Sequence, residues 1–311
     1  MNLTVSNYPL GKINTFKIGG CAKFFAQPSS QKQLLKLLGF AKEKNLPLLV
    51  MGKGSNLLLS DKGWDGLVLN ISSFFSDLKW EKMHAHCLSG MSLDKLISEA
   101  VKKGCSGLEY LSGIPGTVGG AVAMNAGAYD SCIAHSLISV RVLDPATAEV
   151  SCVDRDELEL GYRTSLVKKN GLIVLSAKFR FSLCDTAKLA AVRKDVLKRR
   201  KEKQPLELPN CGSVFKRPHG NYAGTLIEKC SLKGYRCGDV EISSKHANFI
   251  VNRGNGKAED VLRVINHVRR TVYEKFGILL EPEVIFAGEF SQSLYVPDAG
   301  LKVKEEKCNE S

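Results

Sequence analysis

The sequence predicts an α+β protein of two or three domains, and three observations carry that expectation. At 311 residues the chain exceeds the usual size of one compact unit. Segments with helical apolar spacing alternate with short apolar runs bounded by Gly, Asn and Asp. The composition, 44% hydrophobic and 24% charged, is that of an ordinary globular chain. No apolar run approaches membrane-spanning length, and "MNLTVSNYPLGKINTF" has neither a basic nor an apolar leader region, so membrane insertion is not expected. Ten cysteines are scattered without a C-x-x-C pair or a His-Cys cluster at zinc spacing. No metal is expected, most thiols read as small core residues, and free thiols without an export signal fit the cytoplasm.

Residues 29–45, "SSQKQLLKLLGFAKEKN", read as an amphipathic helix with Ser30 as N-cap and Asn45 near its stop. Residues 46–71 then give a strand, a glycine loop, a second strand, a "DKGWDG" turn and a third strand. The loop Gly52, Lys53, Gly54, Ser55, Asn56, Leu57 lacks the third glycine and the following helix of a Rossmann fingerprint, and no Gly-Lys-Ser/Thr step makes a Walker A loop. Two readings stay open: an anion nest of backbone N–H groups with Ser55 and Asn56 as partners, or a tight hairpin.

"MSLDKLISEAVKKG" (91–104) reads as a helix with Ser92 as N-cap, Asp94 in its first turn and Gly104 just past its end. Residues 112–130 follow, with glycines at 113, 116, 119, 120 and 127. So many glycines do not form a packed helix or strand cheaply, and close approach of backbone to a ligand explains them. Paired with the first loop, this one would hold a long diphosphate ligand at both ends; a small-residue turn with close strand packing is the alternative. Strands follow at "LISVRVLD", "AEVSCVD" and "GLIVLSAKFRF". In "GYRTS", Arg163 sits between an aromatic and two hydroxyl residues, where it is either a surface arginine or a cation held in a cleft.

The composition changes near residue 184. "VRKDVLKRRKEK" (192–203) belongs to a long helix whose charges read as its solvated face, and it carries much of the net charge of +12. That charge would draw phosphorylated ligands, nucleic acid or an acidic surface, but aromatics barely interleave with it, which argues against a single-strand stacking platform. In "NCGSVFKRP" (210–218), Ser213 lies behind a glycine and ahead of Lys216 and Arg217, which fits either a plain turn or a meeting of hydroxyl and cations with an anionic ligand. A shorter helix around 222–234, a loop and strand in "SSKHANFIVN", and a full amphipathic helix over 257–277 come next. "ILLEPEVIFAG" (278–288) reads as a last strand on which alternation puts Glu281 and Glu283 on one side, and residues 291–311 read as a disordered tail.

Taken together, "GYRTS", "NCGSVFK" and "LEPEV", with the loops "GKGSNLLL" and "SGIPGTVGGAVAMNAGAY", resemble the UDP-N-acetylenolpyruvoylglucosamine reductase family, flavoenzymes that make UDP-N-acetylmuramate for peptidoglycan. The resemblance spans residues 10–290, in the family's order. It implies the flavin-binding fold shared with vanillyl-alcohol oxidases, two α+β subdomains around FAD and a third α+β domain for substrate. On that plan residues 1–72, joined by the strand 280–290, form the first subdomain, 73–183 the second, 184–279 the substrate domain and 291–311 the tail. FAD would be held without a covalent bond, the glycine loops having no histidine to tether it. Its partners would be Gly52 to Leu57, then Gly113, Ile114, Pro115, Gly116 and Thr117, with Gly119, Gly120 and Ala121, and finally Asn125, Ala126 and Gly127.

The same resemblance implies NADPH as reductant and UDP-N-acetylglucosamine enolpyruvate as substrate. Hydride from flavin N5 would reach the vinyl carbon, leaving an enolate at the carbon that bears the carboxylate. Arg163 would hold that charge, a protonated Glu283 would add a hydrogen bond, and Ser213 would give the proton at carbon. No Ser-His-Asp set makes Ser213 a nucleophile instead. Lys233 in "CSLKG" matches a substrate-contacting lysine, and Lys216, Arg217, His246 and Asn248 are the further candidates for the UDP-sugar. Arg217 departs from the family, which often has asparagine there, and Asn248 and His246 equally fit a structural pair. The stretch after Arg163 is too short for the tyrosine-bearing loop of one branch, so the chain resembles the other. A monomer without nucleic acid is expected; the rival readings are another flavin oxidase or dehydrogenase of this fold, or a basic nucleic-acid-binding protein.

Overall fold

Apolar runs become central strands, and amphipathic runs become the helices that cover them, in the computed structural model, which describes residues 3–72 and 76–297. The first region contains β1 (Val5–Pro9), β2 (Cys21–Ala26), α1 (Gln31–Glu43), β3 (Leu48–Met51), β4 (Leu57–Leu59) and β5 (Trp64–Asn70). Its sheet has the order β1-β2-β5-β3, with β5 parallel to both β2 and β3. Parallel neighbours bury both faces of β5, hence its continuous apolar run. Ser30 caps α1 by accepting from the Gln33 N–H, and Leu34, Leu37, Leu38 and Ala41 form the buried stripe. The hairpin reading of the Gly52–Leu57 loop fails. β4 leaves this sheet and pairs in parallel with the final strand, Ile285–Ala287.

The middle region contains β6 (Leu78–Glu81), β7 (His84–Leu88), α2 (Leu93–Lys102), β8 (Cys105–Ser106), α3 (Val118–Ala123), β9 (Gly127–Ala128), β10 (Ser131–Cys132), β11 (Leu137–Leu143), β12 (Val150–Asp154), α4 (Leu166–Lys169), β13 (Ile173–Arg180) and β14 (Ser182–Leu183). A wholly antiparallel sheet of order β12-β11-β13-β7-β6 underlies α2 and α3. The glycine-rich stretch does form a helix, contrary to expectation. Thr117 caps α3 by accepting from the Gly120 N–H, and a Cβ at Gly119 would lie 2.9 Å from Ser89 Cβ, so glycine there serves close packing. Leu143, Ile173 and Leu175 share a core with α1, so the first two sheets are not independent units.

α5 (Thr186–Lys203) begins at the expected boundary of the third unit, yet Leu189 packs into the core of the middle region. Its basic face is not wholly solvated. Arg193 forks onto Asp94 of α2 at 2.8 and 2.9 Å, and Arg200 is only 7% exposed. The last region contains β15 (Asn210–Ser213), α6 (Ala223–Lys229), β16 (Arg236–Cys237), β17 (Val240–Ile242), β18 (Phe249–Asn252), α7 (Ala258–Phe276) and β19 (Ile285–Ala287). Its sheet, β15-β18-β17-β16, is antiparallel, and α7 buries Val261, Leu262, Val264, Ile265, Val268 and Val272 before Gly277 ends it at φ +68°.

The expected tail is ordered in its first part. Residues 291–297 lie along α7, where Ser291 N–H donates to Glu259 and Asn266 Nδ2 to the Ser293 carbonyl; residues 298–311 lie outside the described residues. Of the nine described cysteines, all free, Cys87, Cys105 and Cys211 are buried and Cys184, Cys230 and Cys237 pack half-buried against the cores, so most are core residues as expected. No helix among the described residues is long and apolar enough to cross a membrane.

One contact ties the first region to the last. Asp61, in the turn after β4, accepts from the N–H groups of Ala258 (2.9 Å) and Glu259 (3.0 Å), capping α7 from outside its own chain segment. Asp61→Ala is expected to lower stability by about 1–2 kcal/mol, read as a lower midpoint of denaturant unfolding.

Candidate active site

The turn Gly161–Thr164 is closed by a backbone bridge, and it holds Arg163 at φ +58°. Asn125 Nδ2 donates to the Gly161 carbonyl (3.0 Å), and Ser165, fully buried, caps α4 and donates to the Ala123 carbonyl (2.7 Å). The guanidinium so placed donates through Nε to Glu283 Oε1 (2.5 Å) and through Nη2 to the Gly127 carbonyl (3.3 Å). Its side chain is 18% exposed and that of Glu283 12%. Arg163 is therefore the cleft cation of the two readings.

Ser213 ends β15 beyond an irregularity in the pairing with β18, where Gly212 turns at φ +81°. The strand that follows is gripped from both sides. Asn248 spends its amide on Phe215, accepting its N–H (3.0 Å) and donating to its carbonyl (2.9 Å). From the other side the Glu283 N–H donates to the Val214 carbonyl (2.7 Å), and the Lys216 N–H to the Glu281 carbonyl (2.9 Å). Ser213 and Glu283 thereby become neighbours through backbone pairing.

One cleft of ≈ 530 Å³ is lined by Arg163, Ser213 and Glu283 together with Arg217, Lys233, His246 and Asn248. Lys216 is not among its walls; it pairs with Glu281 in an adjoining hollow. Glu281 and Glu283 precede the last strand instead of lying on it, because β19 starts only at Ile285, and an isolated bridge between Phe215 and Pro282 falls between them. Glu281 is 68% exposed in its side chain, whereas Glu283 faces the cleft. Burial raises the Glu283 pKa above the ordinary carboxylate value, outweighing the opposing pull of Arg163, Lys216 and Lys168. Burial likewise lowers the His246 pKa and favours its neutral ring, whose Nδ1 accepts from the Asn248 N–H (3.2 Å).

Sequence reasoning missed Tyr162, Glu202, Lys203, Tyr222 and Lys245, which also line the cleft. Tyr162 lay inside a motif already singled out. Glu202 and Lys203 end a helix read as solvated, and only their nearness to "NCGSVFK" in sequence signalled otherwise. Arg217 stacks its guanidinium 4.1 Å from the Tyr222 ring centre, and its N–H donates to the Tyr162 hydroxyl.

The two glycine loops lie side by side. Ser55 Oγ donates to the Pro115 carbonyl (2.8 Å) and Lys53 Nζ to Ser92 Oγ (3.3 Å). Among the described residues, the N–H groups of Lys53, Gly54, Ser55 and Asn56 donate to no protein acceptor. Gly120 is exposed, with nothing nearer to an added Cβ than Thr117 Oγ1 at 3.6 Å. Arg200, buried against Gly113, has no partner for its Nε. Free backbone donors, an open glycine and an orphaned guanidinium N–H fit a flat ligand carrying a diphosphate. Ala121 is in the core, and the Asn125 side chain is spent on Gly161 and Ala134. Gly52→Ala is expected to cut flavin retention about 10-fold or more, measured as flavin absorbance per protein after gel filtration, because its Cβ would lie 2.9 Å from Thr117 Cγ2.

Residues 204–287 match the C-terminal domain of UDP-N-acetylenolpyruvoylglucosamine reductase, and residues 22–152 match an FAD binding domain. A reductase of that name from Caldicellulosiruptor bescii is 45% identical over 95% of this chain and 94% of its own length. The chain belongs to the UDP-N-acetylenolpyruvoylglucosamine reductase family. A relative of the same name from Agathobacter rectalis is 44% identical over 91% of this chain and 93% of its own length. The crystal structure of the UDP-N-acetylenolpyruvylglucosamine reductase from Thermus caldophilus superposes with a TM-score of 0.78 at 33% identity, over 92% of this chain and 98% of that one. The expected α+β flavin-binding fold therefore holds. In this reductase family member the C-terminal match starts directly after α5, in keeping with that helix's packing on the middle region.

Proposed function

We propose that the chain catalyses the NADPH-dependent, FAD-mediated reduction of UDP-N-acetylglucosamine enolpyruvate to UDP-N-acetylmuramate, a step of peptidoglycan precursor synthesis. The observation that carries the proposal is the half-buried Arg163–Glu283 pair in the cleft that also holds Ser213. FAD would be held by the loops around Gly52–Leu57 and Gly113–Gly120 and would supply the two-electron relay from NADPH. Everything else falls to side chains. Arg163 holds the enolpyruvyl carboxylate and the charge that develops beside it, with a rigid fork suited to planar oxygens. Glu283 Oε1 accepts from Arg163, and a proton on Oε2 lets that oxygen donate to the same charge. Ser213 delivers the proton at carbon. Lys233 and Arg217 answer the diphosphate, and neutral His246 lines the sugar side without adding charge. The three-part division of the chain, with α5 on the flavin side, and a cytoplasmic setting belong to the same proposal.

The raised Glu283 pKa sets a pH dependence. The folded protein keeps this proton at pH values where an exposed carboxyl has lost it, so turnover is expected to fall as pH rises through the raised pKa. Glu283→Gln, neutral throughout, should flatten that alkaline limb in a pH–rate profile while keeping a donor in place. The function itself is tested with purified, flavin-loaded protein, NADPH and the enolpyruvyl sugar. Equimolar NADPH loss and UDP-N-acetylmuramate formation are expected; NADPH oxidation that leaves the enolpyruvyl sugar intact would overturn the reading.

A further inference from the structure

Arg269, on α7, is 6% exposed and has no carboxylate partner among the described residues. A buried guanidinium left unpaired costs several kcal/mol, so its N–H groups need acceptors. They find backbone carbonyls. Nη1 donates to Leu280, while Nε (3.1 Å) and Nη2 (2.7 Å) both donate to Tyr295. One planar fork thus joins two segments that are separate in sequence, the stretch leading into Glu283 and the residues after β19.

The second segment is itself pinned to α7. The Tyr295 N–H donates to Asn266 Oδ1 (2.7 Å), Asn266 Nδ2 to the Ser293 carbonyl (2.9 Å), and Ser291 Oγ to Glu259 (2.7 Å). Leu280 is fully buried, and from it the chain runs straight to the pairing of Glu281 with Lys216 and of Glu283 with Val214. The C-terminal family match stops at residue 287, before any of these strap contacts.

We propose that Arg269 is a positioning residue and that residues 291–297 are a strap which, through its guanidinium, fixes the Leu280–Glu283 segment and with it the Glu283 carboxyl in the cleft. The inference rests on the role given to Glu283 above. Without the strap, two of the three carbonyl contacts are lost, water reaches the guanidinium, and the Leu280 end of the segment is held less firmly. Misplacement of a reacting group by about 1 Å costs up to 10²-fold in rate, whereas ligand contacts elsewhere in the cleft are untouched.

Two stop codons test this in the flavin-loaded enzyme. A chain ending after Pro297 keeps the strap and is expected to match the full-length protein. A chain ending after Phe290 is expected to lose about 10-fold to 100-fold in kcat, with KM for the enolpyruvyl sugar within about threefold and flavin retained. Its alkaline limb should move to lower pH, because hydration draws Glu283 back toward the ordinary carboxylate range while the charged and titratable groups facing it, Arg163, Lys168, Lys216 and Cys211, stay the same. Asn266→Ala, which frees the strap without touching Arg269, should show the same changes in weaker form. Amide hydrogen exchange supplies a readout without turnover: the Lys216 and Glu283 N–H groups should exchange faster in the shortened chain. Unchanged kcat and unchanged exchange after removal of 291–297 would overturn the strap. An inactive full-length enzyme would instead count against the reductase reading, and exchange would still decide the strap.

Discussion

Ser213→Ala is expected to reduce turnover by about 10²–10⁴-fold while flavin binding and folding stay as in the wild type. The size follows from the chemistry left without its acid. A serine hydroxyl is a very weak acid, so it protonates carbon only when the base is strong and held beside it. Here the hydroxyl sits on a strand fixed by Asn248 and by the Glu283–Val214 pairing, so its position is set before substrate arrives. Alanine keeps the backbone and removes one oxygen from a cleft wall, with no packing lost in the core. Reduction of the flavin by NADPH, which needs no proton at carbon, should proceed normally in the variant, and single-turnover measurements of the two half-reactions check the division.

Arg163→Met is the second large effect, with an expected loss of about 10²–10³-fold that falls on kcat more than on KM. On the proposed mechanism the enolate's charge develops beside the guanidinium, and methionine offers no donor. The variant also strips the half-buried Glu283 of the nearest cation that holds its pKa down, so the remaining acid titrates at still higher pH. Arg163→Lys should recover only part of the activity. A lysine keeps the charge but cannot donate to Glu283 and to the Gly127 carbonyl in one plane, as the fork does.

Elements with strong local signals were legible in sequence. α1 and α7 carry full apolar stripes with a Ser30 cap and a Gly277 stop, and both form where the pattern puts them. What local pattern does not encode is which strand pairs with which. Nothing in "NLLL" or "VIFA" announces that β4 and β19 pair, and that ladder is what returns Glu283 to the glycine loops. Tertiary context also overrode propensity. α3 forms despite its glycines because Gly119 must meet Ser89, and part of the basic face of α5 turns inward because Asp94 accepts the Arg193 fork. The strap reads as a polar tail because its bonds run through backbone carbonyls that accept from Asn266 and Arg269 on another element.

The site was legible as three residue types, and not as one place. A cation, a hydroxyl and a carboxylate in separated motifs meet in a cleft through a left-handed turn, a distorted strand end and a bridge at Pro282, none of which leaves a periodic signature. The resemblance to a reductase family selected Arg163, Ser213 and Glu283 from many similar residues, while Lys216 matched in type and yet points to a neighbouring hollow. The cleft also draws Lys203 and Lys245 from elements whose charges look like ordinary surface.

The most direct measurement is turnover in D₂O with NADPH and the enolpyruvyl sugar, followed by locating deuterium in the product. Proton delivery from a fixed Ser213 predicts one deuterium at the carbon bearing the carboxylate, in a single configuration, formed far more slowly by Ser213→Ala. Deuterium in both configurations equally, or a single configuration delivered by Ser213→Ala at the wild-type rate, would contradict the account.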